Sequence, residues 1–187
     1  MKRLLTAGLV SLGIWAGLSQ AVEVEGVQIP EKVTVGGTDL ELNGTALRQR
    51  MMMKAYVAAL YIPKKSTNSE EIIAENVPTR MAMYVTFAMV PKQMVVSGWS
   101  NNVPVNISEE ELKVLEPRLT KFYGFFTEMH KGDMVFIDYV PGKGTSVTAN
   151  GKLVGTIEGD DFFDPLLKVW IGKEPVDEDF KKGLIGG

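Results

Sequence analysis

The sequence predicts an α+β domain built on an antiparallel sheet, with helices gathered in the middle and at the end of the chain. Three observations carry that expectation. Strand signals come first, interleaved helix signals follow, and further strands precede two closing helices, an order that does not repeat as βαβ units. Arg80 to Met89 alternates strictly: Met81, Met83, Val85, Phe87 and Met89 fall on one side, and Arg80, Ala82, Tyr84, Thr86 and Ala88 on the other. Asn150-Gly151 supplies the positive φ values of a tight turn between two short strands.

Taken in order, Val33-Thr34-Val35 and Leu40-Glu41-Leu42 alternate around Gly36-Gly37 and read as a hairpin. Arg48 to Ile62 reads as one long strand stopped by Pro63. Ser69 to Ile73 reads as a short capped helix, and Pro91 to Ser100 as a helix with proline at its first position, carrying Met94, Val95 and Trp99. Ser108 and Glu111 form a capping box for a helix through Leu112, Leu115, Leu119, Phe122 and Phe126, which Pro117 should kink or divide. Met134 to Val140 and Thr145 to Ile157 read as three strands. Asp160 or Asp161 is the expected cap of a helix burying Phe162, Phe163, Leu166, Val169 and Trp170, with Gly172 ending it in a left-handed conformation. A final helix covers about Asp177 to Lys182.

The first 21 residues have the pattern of a secretory signal. Lys2 and Arg3 precede an apolar stretch from Leu4 to Leu18, and Ser19-Gln20-Ala21 offers small residues for cleavage before Val22. The stretch is shorter than the roughly 20 residues a membrane-spanning helix needs. An exported, periplasmic domain of residues 22–187 is therefore expected, with no stable membrane anchor after cleavage. Removing residues 1–21 leaves 166 residues and a net charge of −5. With no basic cluster, nucleic acid is not an expected partner.

Composition removes several chemistries. The chain has no cysteine and one histidine, His130, so disulfides, thiolate catalysis and Cys- or His-rich metal sites are out. No metal or cofactor is expected. His130 lies in Met129-His130-Lys131-Gly132 without a nucleophile elbow, and reads as a surface-loop residue. Pro141 to Ser146 lacks the phosphate-loop spacing and precedes a strand, so it reads as a hairpin turn. Glu109-Glu110-Glu111 and Asp177-Glu178-Asp179 sit at helix starts, where carboxylates offset the macrodipole.

Two features point to a ligand. The methionines at 51–53, 81, 83, 89 and 94 suit either a core or a pocket that adapts to a flexible apolar molecule. Arg48 and Arg50 share a face of a regular strand with Met52, Lys54 and Tyr56. That face is either an outward polar surface or one that aims Arg48 into a cavity, where a guanidinium fits a carboxylate best.

Four segments resemble the chalcone isomerase-like family, closest to its bacterial exported branch: Leu42 to Arg48, Lys54 to Ile62, Leu167 to Gly172 and Pro175 to Lys181. The resemblance spans essentially all of residues 22–187. It implies an open-faced β-sandwich, with a large antiparallel sheet, helices layered on one face, short strands on the other, and a ligand cleft between sheet and helices. The family includes plant enzymes that close chalcones to flavanones and plastid proteins that bind fatty acids without catalysis. Their cleft arginine matches Arg48. A strand threonine of the enzymes corresponds to Tyr56, the helix tyrosine and asparagine fall within a turn of Gln93 and Ser100, and a late threonine corresponds to Val169.

The resemblance therefore implies non-catalytic binding of a fatty acid or similar amphipathic carboxylate, with Arg48, Tyr56, Gln93, Ser100 and Val169 as ligand-binding positions. The rival is an intramolecular lyase acting on a phenolic or enone substrate, with Arg48 and Tyr56 as its catalytic pair. Val169 lacks the hydroxyl such chemistry uses, a loss worth about 2–4 kcal/mol by comparison with other oxyanion donors. A third alternative is a structural or interaction module whose cleft has closed.

Overall fold

Pairing between neighbouring strands organises the chain. The computed structural model describes residues 21–186, so the signal pattern lies outside the described residues apart from Ala21. β1 (Ala21–Val24) and β2 (Val27–Pro30) form a separate hairpin, followed by β3 (Lys32–Val35), β4 (Thr38–Arg50) and β5 (Met53–Ile62). α1 (Ser69–Ala74), β6 (Thr79–Val85), β7 (Met89–Val90), α2 (Lys92–Asn102), a 3-10 turn (Pro104–Asn106) and α3 (Glu109–Gly124) come next. The chain ends with β8 (Met129–His130), β9 (Met134–Val140), β10 (Gly144–Ala149), β11 (Lys152–Ile157), α4 (Phe163–Ile171) and α5 (Glu178–Leu184). Seven strands form one antiparallel sheet in the order β11-β10-β9-β6-β5-β4-β3.

Alternation along β5 and β6 divides the buried residues between two faces. Ala58, Leu60, Met81 and Met83 join Trp99, Leu115, Phe122 and Trp170 under the helices. Val57, Ala59, Tyr61, Ala82 and Tyr84 face the other way, with Ile29 of β2 among them. On that second face Arg80 holds Asp138 through two bonds of 2.6 and 2.7 Å, and its guanidinium lies 4.5 Å from the Phe136 ring centroid.

Capping fixes three helices as their sequences imply. Asn68 accepts from the amides of Glu70 and Glu71 at α1, Ser108 from Glu111 at α3, and Asp177 from Phe180 at α5. Asn150 and Gly151 take φ values of 49° and 77° in the turn between β10 and β11.

Several expectations need correction. The single strand from Arg48 to Ile62 is two strands, because the chain reverses at Met51-Met52 and pairs Arg50 with Met53. β6 ends at Val85, so Phe87 and Met89 leave its face. α3 continues through Pro117 undivided, with Leu115, Leu119 and Phe122 buried on both sides of it. Neither Asp160 nor Asp161 caps α4: Asp160 accepts from the Gly142 amide, and Asp161 is bound by Arg118 at 2.7 and 2.6 Å. Gly172 has φ −72°, so its conformation does not demand glycine. Its reason is space, since a Cβ there would stand 2.4 Å from the Lys168 carbonyl oxygen.

A bulge at Asn43 anchors the last helix. Its Nδ2 donates to the Leu184 carbonyl at 2.9 Å, while its Oδ1 accepts from the Ser66 amide at 2.9 Å. Beside it, a Cβ on Gly44 would lie 2.2 Å from the Gly183 carbonyl oxygen. This close approach brings α5 onto β4 and sets Phe180 against the site.

Candidate ligand-binding site

A cleft of about 190 Å³ lies between the helix-side face of β4–β6 and helices α2 and α4. Two irregularities in the β4–β5 hairpin build its polar wall. The reversal at Met51-Met52 returns the chain so that Tyr56 stands directly opposite Arg48, and opposite residues share a face. The register then shifts, with Gln49 facing Lys54 and Ala55 as the extra residue. This shift moves Lys54 out of the cleft and across the sheet, where its Nζ meets Glu25 at 2.7 Å. Arg48, Arg50, Met53, Ala55 and Tyr56 therefore line the cleft, but not as the side of one regular strand.

Arg48 is partly buried. Its Nη1 donates to the Gln49 carbonyl at 3.3 Å, and no carboxylate pairs with it among the described residues. A guanidinium has five donors, so most of this one's capacity is left for a ligand or water. The Tyr56 hydroxyl accepts from Trp170 Nε1 at 3.1 Å, and no acceptor among the described residues takes its own proton. Burial raises the tyrosine pKa, against the opposing effects of the Trp170 bond and the Arg48 charge. The hydroxyl thus stays protonated below and through its ordinary value of 10.0, and remains a donor beside the guanidinium.

The rest of the wall is apolar and adaptable. Met83, Met94, Met129 and Val169 contribute to it, and Trp99 and Trp170 meet edge to face at 4.9 Å. Phe180 packs edge-on against Tyr56 at 6.1 Å. α2 meets the cleft along two adjacent stripes, Val95, Trp99 and Asn102 on its more buried side and Met94, Ser97, Gly98 and Asn101 on its exposed side. A Cβ on Gly98 would meet nothing within 4 Å, so the helix leaves space there.

A second, polar depression of about 560 Å³ lies on the opposite side of the sheet, lined by Glu25, Lys54 and Asp133 among others. Although it is larger, Lys54 and Glu25 neutralise each other there, and Asp133 already accepts from the His130 amide and Asn150. The smaller cleft is the one that combines unpaired guanidinium donors with apolar walls.

The sequence model of the chalcone isomerase-like family matches residues 21–186. The chain belongs to that family. A fatty-acid binding protein of Arabidopsis thaliana has the same chalcone isomerase-like fold, with a TM-score of 0.67 and 15% identity. The comparison covers 89% of this chain and 96% of the plant protein. No curated protein matches the chain in sequence.

Within this chalcone isomerase-like domain, Arg48, Tyr56 and Val169 line the cleft. Gln93 and Ser100 do not; both are exposed, on a side of α2 away from the lining stripes. The polar positions that α2 does present are Ser97, Asn101 and Asn102. Sequence reasoning also missed Trp170 as the donor to Tyr56 and did not separate the methionines by role. Met53, Met83 and Met94 line the cleft, Met81 is fully buried core, and Met51 and Met52 are exposed at the hairpin tip. The signal available for α2 was Val95 and Trp99, one turn apart, which fix the inward face of the helix and leave Gln93 and Ser100 off it.

Proposed function

We propose that this cleft binds a fatty acid or similar amphipathic carboxylate without catalysis, with Arg48 as its anchor. The observation that carries the proposal is a guanidinium with no ion-pair partner among the described residues at the wall of an otherwise largely apolar cleft. A carboxylate offers two oxygens in the geometry that guanidinium donors match, and such charge-assisted bonds contribute roughly 1.5–3 kcal/mol. Tyr56 adds a neutral donor to the same head group, and the methionines and tryptophans receive the chain. The fatty-acid binding activity named for the Arabidopsis thaliana protein of the same fold supports this choice of ligand.

The lyase alternative would use Arg48 to hold a phenolate and Tyr56 to stabilise the enolate. Val169 presents only methyl groups, so a second hydroxyl donor is missing from its position. Binding asks less of the same residues: one cation, one donor and an adaptable apolar wall. Export through the leader at residues 1–21 belongs to this proposal, and N-terminal sequencing of the exported chain is expected to begin at Val22.

Native mass spectrometry of the purified protein, combined with lipid extraction, tests the binding proposal. A bound or readily acquired fatty acid is the expected result. Protein that arrives empty and takes up no fatty acid on titration would refute it.

A further inference from the structure

The apolar side chains left in water are concentrated at one end of the molecule. Among the described residues, eleven large apolar side chains are exposed, and six of them are Met51, Met52, Phe87, Met89, Met94 and Met134. The sheet places Met51, Met52 and Met134 at one end of its strands, with Phe87 and Met89 on the chain just beyond β6 and Met94 on the adjoining cleft wall. Arg50 faces Met53 at the β4–β5 turn, the Phe87 amide donates to the Ala55 carbonyl, Met134 pairs with Tyr84 near the end of β6, and Met94 shares the cleft wall with Met53. Arg50, exposed at this end, also lines the cleft.

The tip itself works against the local preferences of the chain. Met51 has φ +54° in a two-residue turn, a position that favours glycine or asparagine. Met51 is 89% exposed and Met52 95%, so neither gains packing from the fold. Flexible apolar side chains held in water at a strained turn are explained if something else receives them. Charge indicates what that is. Arg50 at the β4–β5 turn, Lys131 just after β8 and Lys92 at the start of α2 lie on or beside this end, and none has an ion-pair partner among the described residues. The acids nearby are engaged: Glu25 with Lys54, Glu128 with His130, and Asp133 with the His130 amide and Asn150.

We infer that the Met51-Met52 tip docks on an anionic phospholipid bilayer, with the cations against the head groups and the cleft mouth facing the membrane. The inference rests on the proposal that the cleft holds an amphipathic carboxylate, for which a membrane is a source and a destination. No helix among the described residues is long and apolar enough to cross a bilayer, so the contact is peripheral: a shallow insertion reinforced by charge.

The test is sedimentation of the intact chain with vesicles of equimolar phosphatidylglycerol and phosphatidylcholine, compared with phosphatidylcholine alone. The first variant is Met51→Gly with Met52→Ser, which relieves the strained turn and leaves the cleft lining intact. Its affinity for the anionic vesicles is expected to fall at least roughly tenfold, since a buried methionine is worth about that factor or more. Lys131→Glu should weaken anionic-vesicle binding about fivefold or more, and leave binding to phosphatidylcholine unchanged. Both chains of each comparison carry the same leader, so the differences report the tip and its charges. Fatty-acid titration without vesicles should be the same for wild type and the tip variant. Equal vesicle binding by wild type and tip variant would overturn the inference, as would a concentration-dependent dimer lost in that variant, which would assign the tip to a second copy. Failure of fatty-acid uptake by both chains would refute the cleft proposal separately, leaving the vesicle comparison to decide docking.

Discussion

Tyr56→Phe probes the joint between the fold and the cleft. Trp170 is 2% exposed, and its indole Nε1 donates to the Tyr56 hydroxyl at 3.1 Å. The substitution keeps the ring and its edge contact with Phe180, so apolar burial hardly changes. What it removes is the acceptor of a buried N–H, and an orphaned donor costs about 1–3 kcal/mol. The cleft admits some water, which favours the lower half of that range. For a domain of this size, about 1–2 kcal/mol lowers Tm by roughly 2–8 °C. Guanidinium denaturation of Tyr56→Phe, Trp170→Phe and the double variant isolates the bond. Tyr56→Phe should cost about 1 kcal/mol less when Trp170 is already phenylalanine. Equal costs in the two backgrounds, within about 0.3 kcal/mol, would show that the bond does not hold Tyr56 in place. The same variant should lose about two- to tenfold in fatty-acid affinity, the share of one neutral hydrogen bond.

Three further outcomes follow from named positions. Gly98→Phe should abolish fatty-acid binding by filling the space beyond that glycine, whereas Gly98→Ala should keep binding and raise stability by about 0.5–1 kcal/mol through helix propensity; retained affinity in Gly98→Phe on titration would exclude this wall. Affinity across fatty acids of increasing length should climb about fourfold per buried methylene and then level off once the chain outgrows the apolar wall; a rise without a plateau through the long chains would contradict a cleft of limited length. Asp133 is held below its ordinary value of 3.8, first by the His130 amide and then by Asn150. Its contribution to stability is therefore present above that value and lost as pH falls through the lower folded-state value. Asp133→Asn should flatten the acid limb of the stability profile, and an unchanged limb would remove this carboxylate from the explanation.

The order of elements, the paired faces of β6 and the caps of α1, α3 and α5 were legible because each depends on neighbours in sequence. Alternation at Met81, Ala82, Met83 and Tyr84 needs only the pleat of a strand, and Ser108 needs only Glu111 within reach. The turn at Met51-Met52 was not legible, since neither residue advertises a reversal and φ +54° at methionine runs against turn chemistry. That omission mattered. A regular strand places Lys54 beside Tyr56, whereas the reversal and the extra Ala55 send Lys54 across the sheet and leave Arg48 facing Tyr56. Strand alternation sets Arg48 and Tyr56 on one face, but it leaves that face either outward or aimed into a cavity, and only the family resemblance favours the cavity. Gln93 and Ser100 were misplaced because a helix turns by about 100° per residue, so a shift of one position moves a side chain off the cleft. Neighbouring Met94 and Asn101 line it instead. The failed cap at Asp161 has the same origin in distant contacts: Arg118, 43 residues away, takes the carboxylate that local sequence assigned to the helix.

The most direct measurement is calorimetric titration of wild type and Arg48→Gln with one fatty acid, at constant pH and salt. The substitution retains polarity and most of the side-chain length while removing the charge. One ligand per chain is expected for wild type, with affinity about ten- to a hundredfold weaker in Arg48→Gln, the range a charge-assisted bond supplies. Equal affinities in the two proteins would contradict an anchor at Arg48, and absence of heat and saturation in wild type would contradict fatty-acid binding in the cleft altogether.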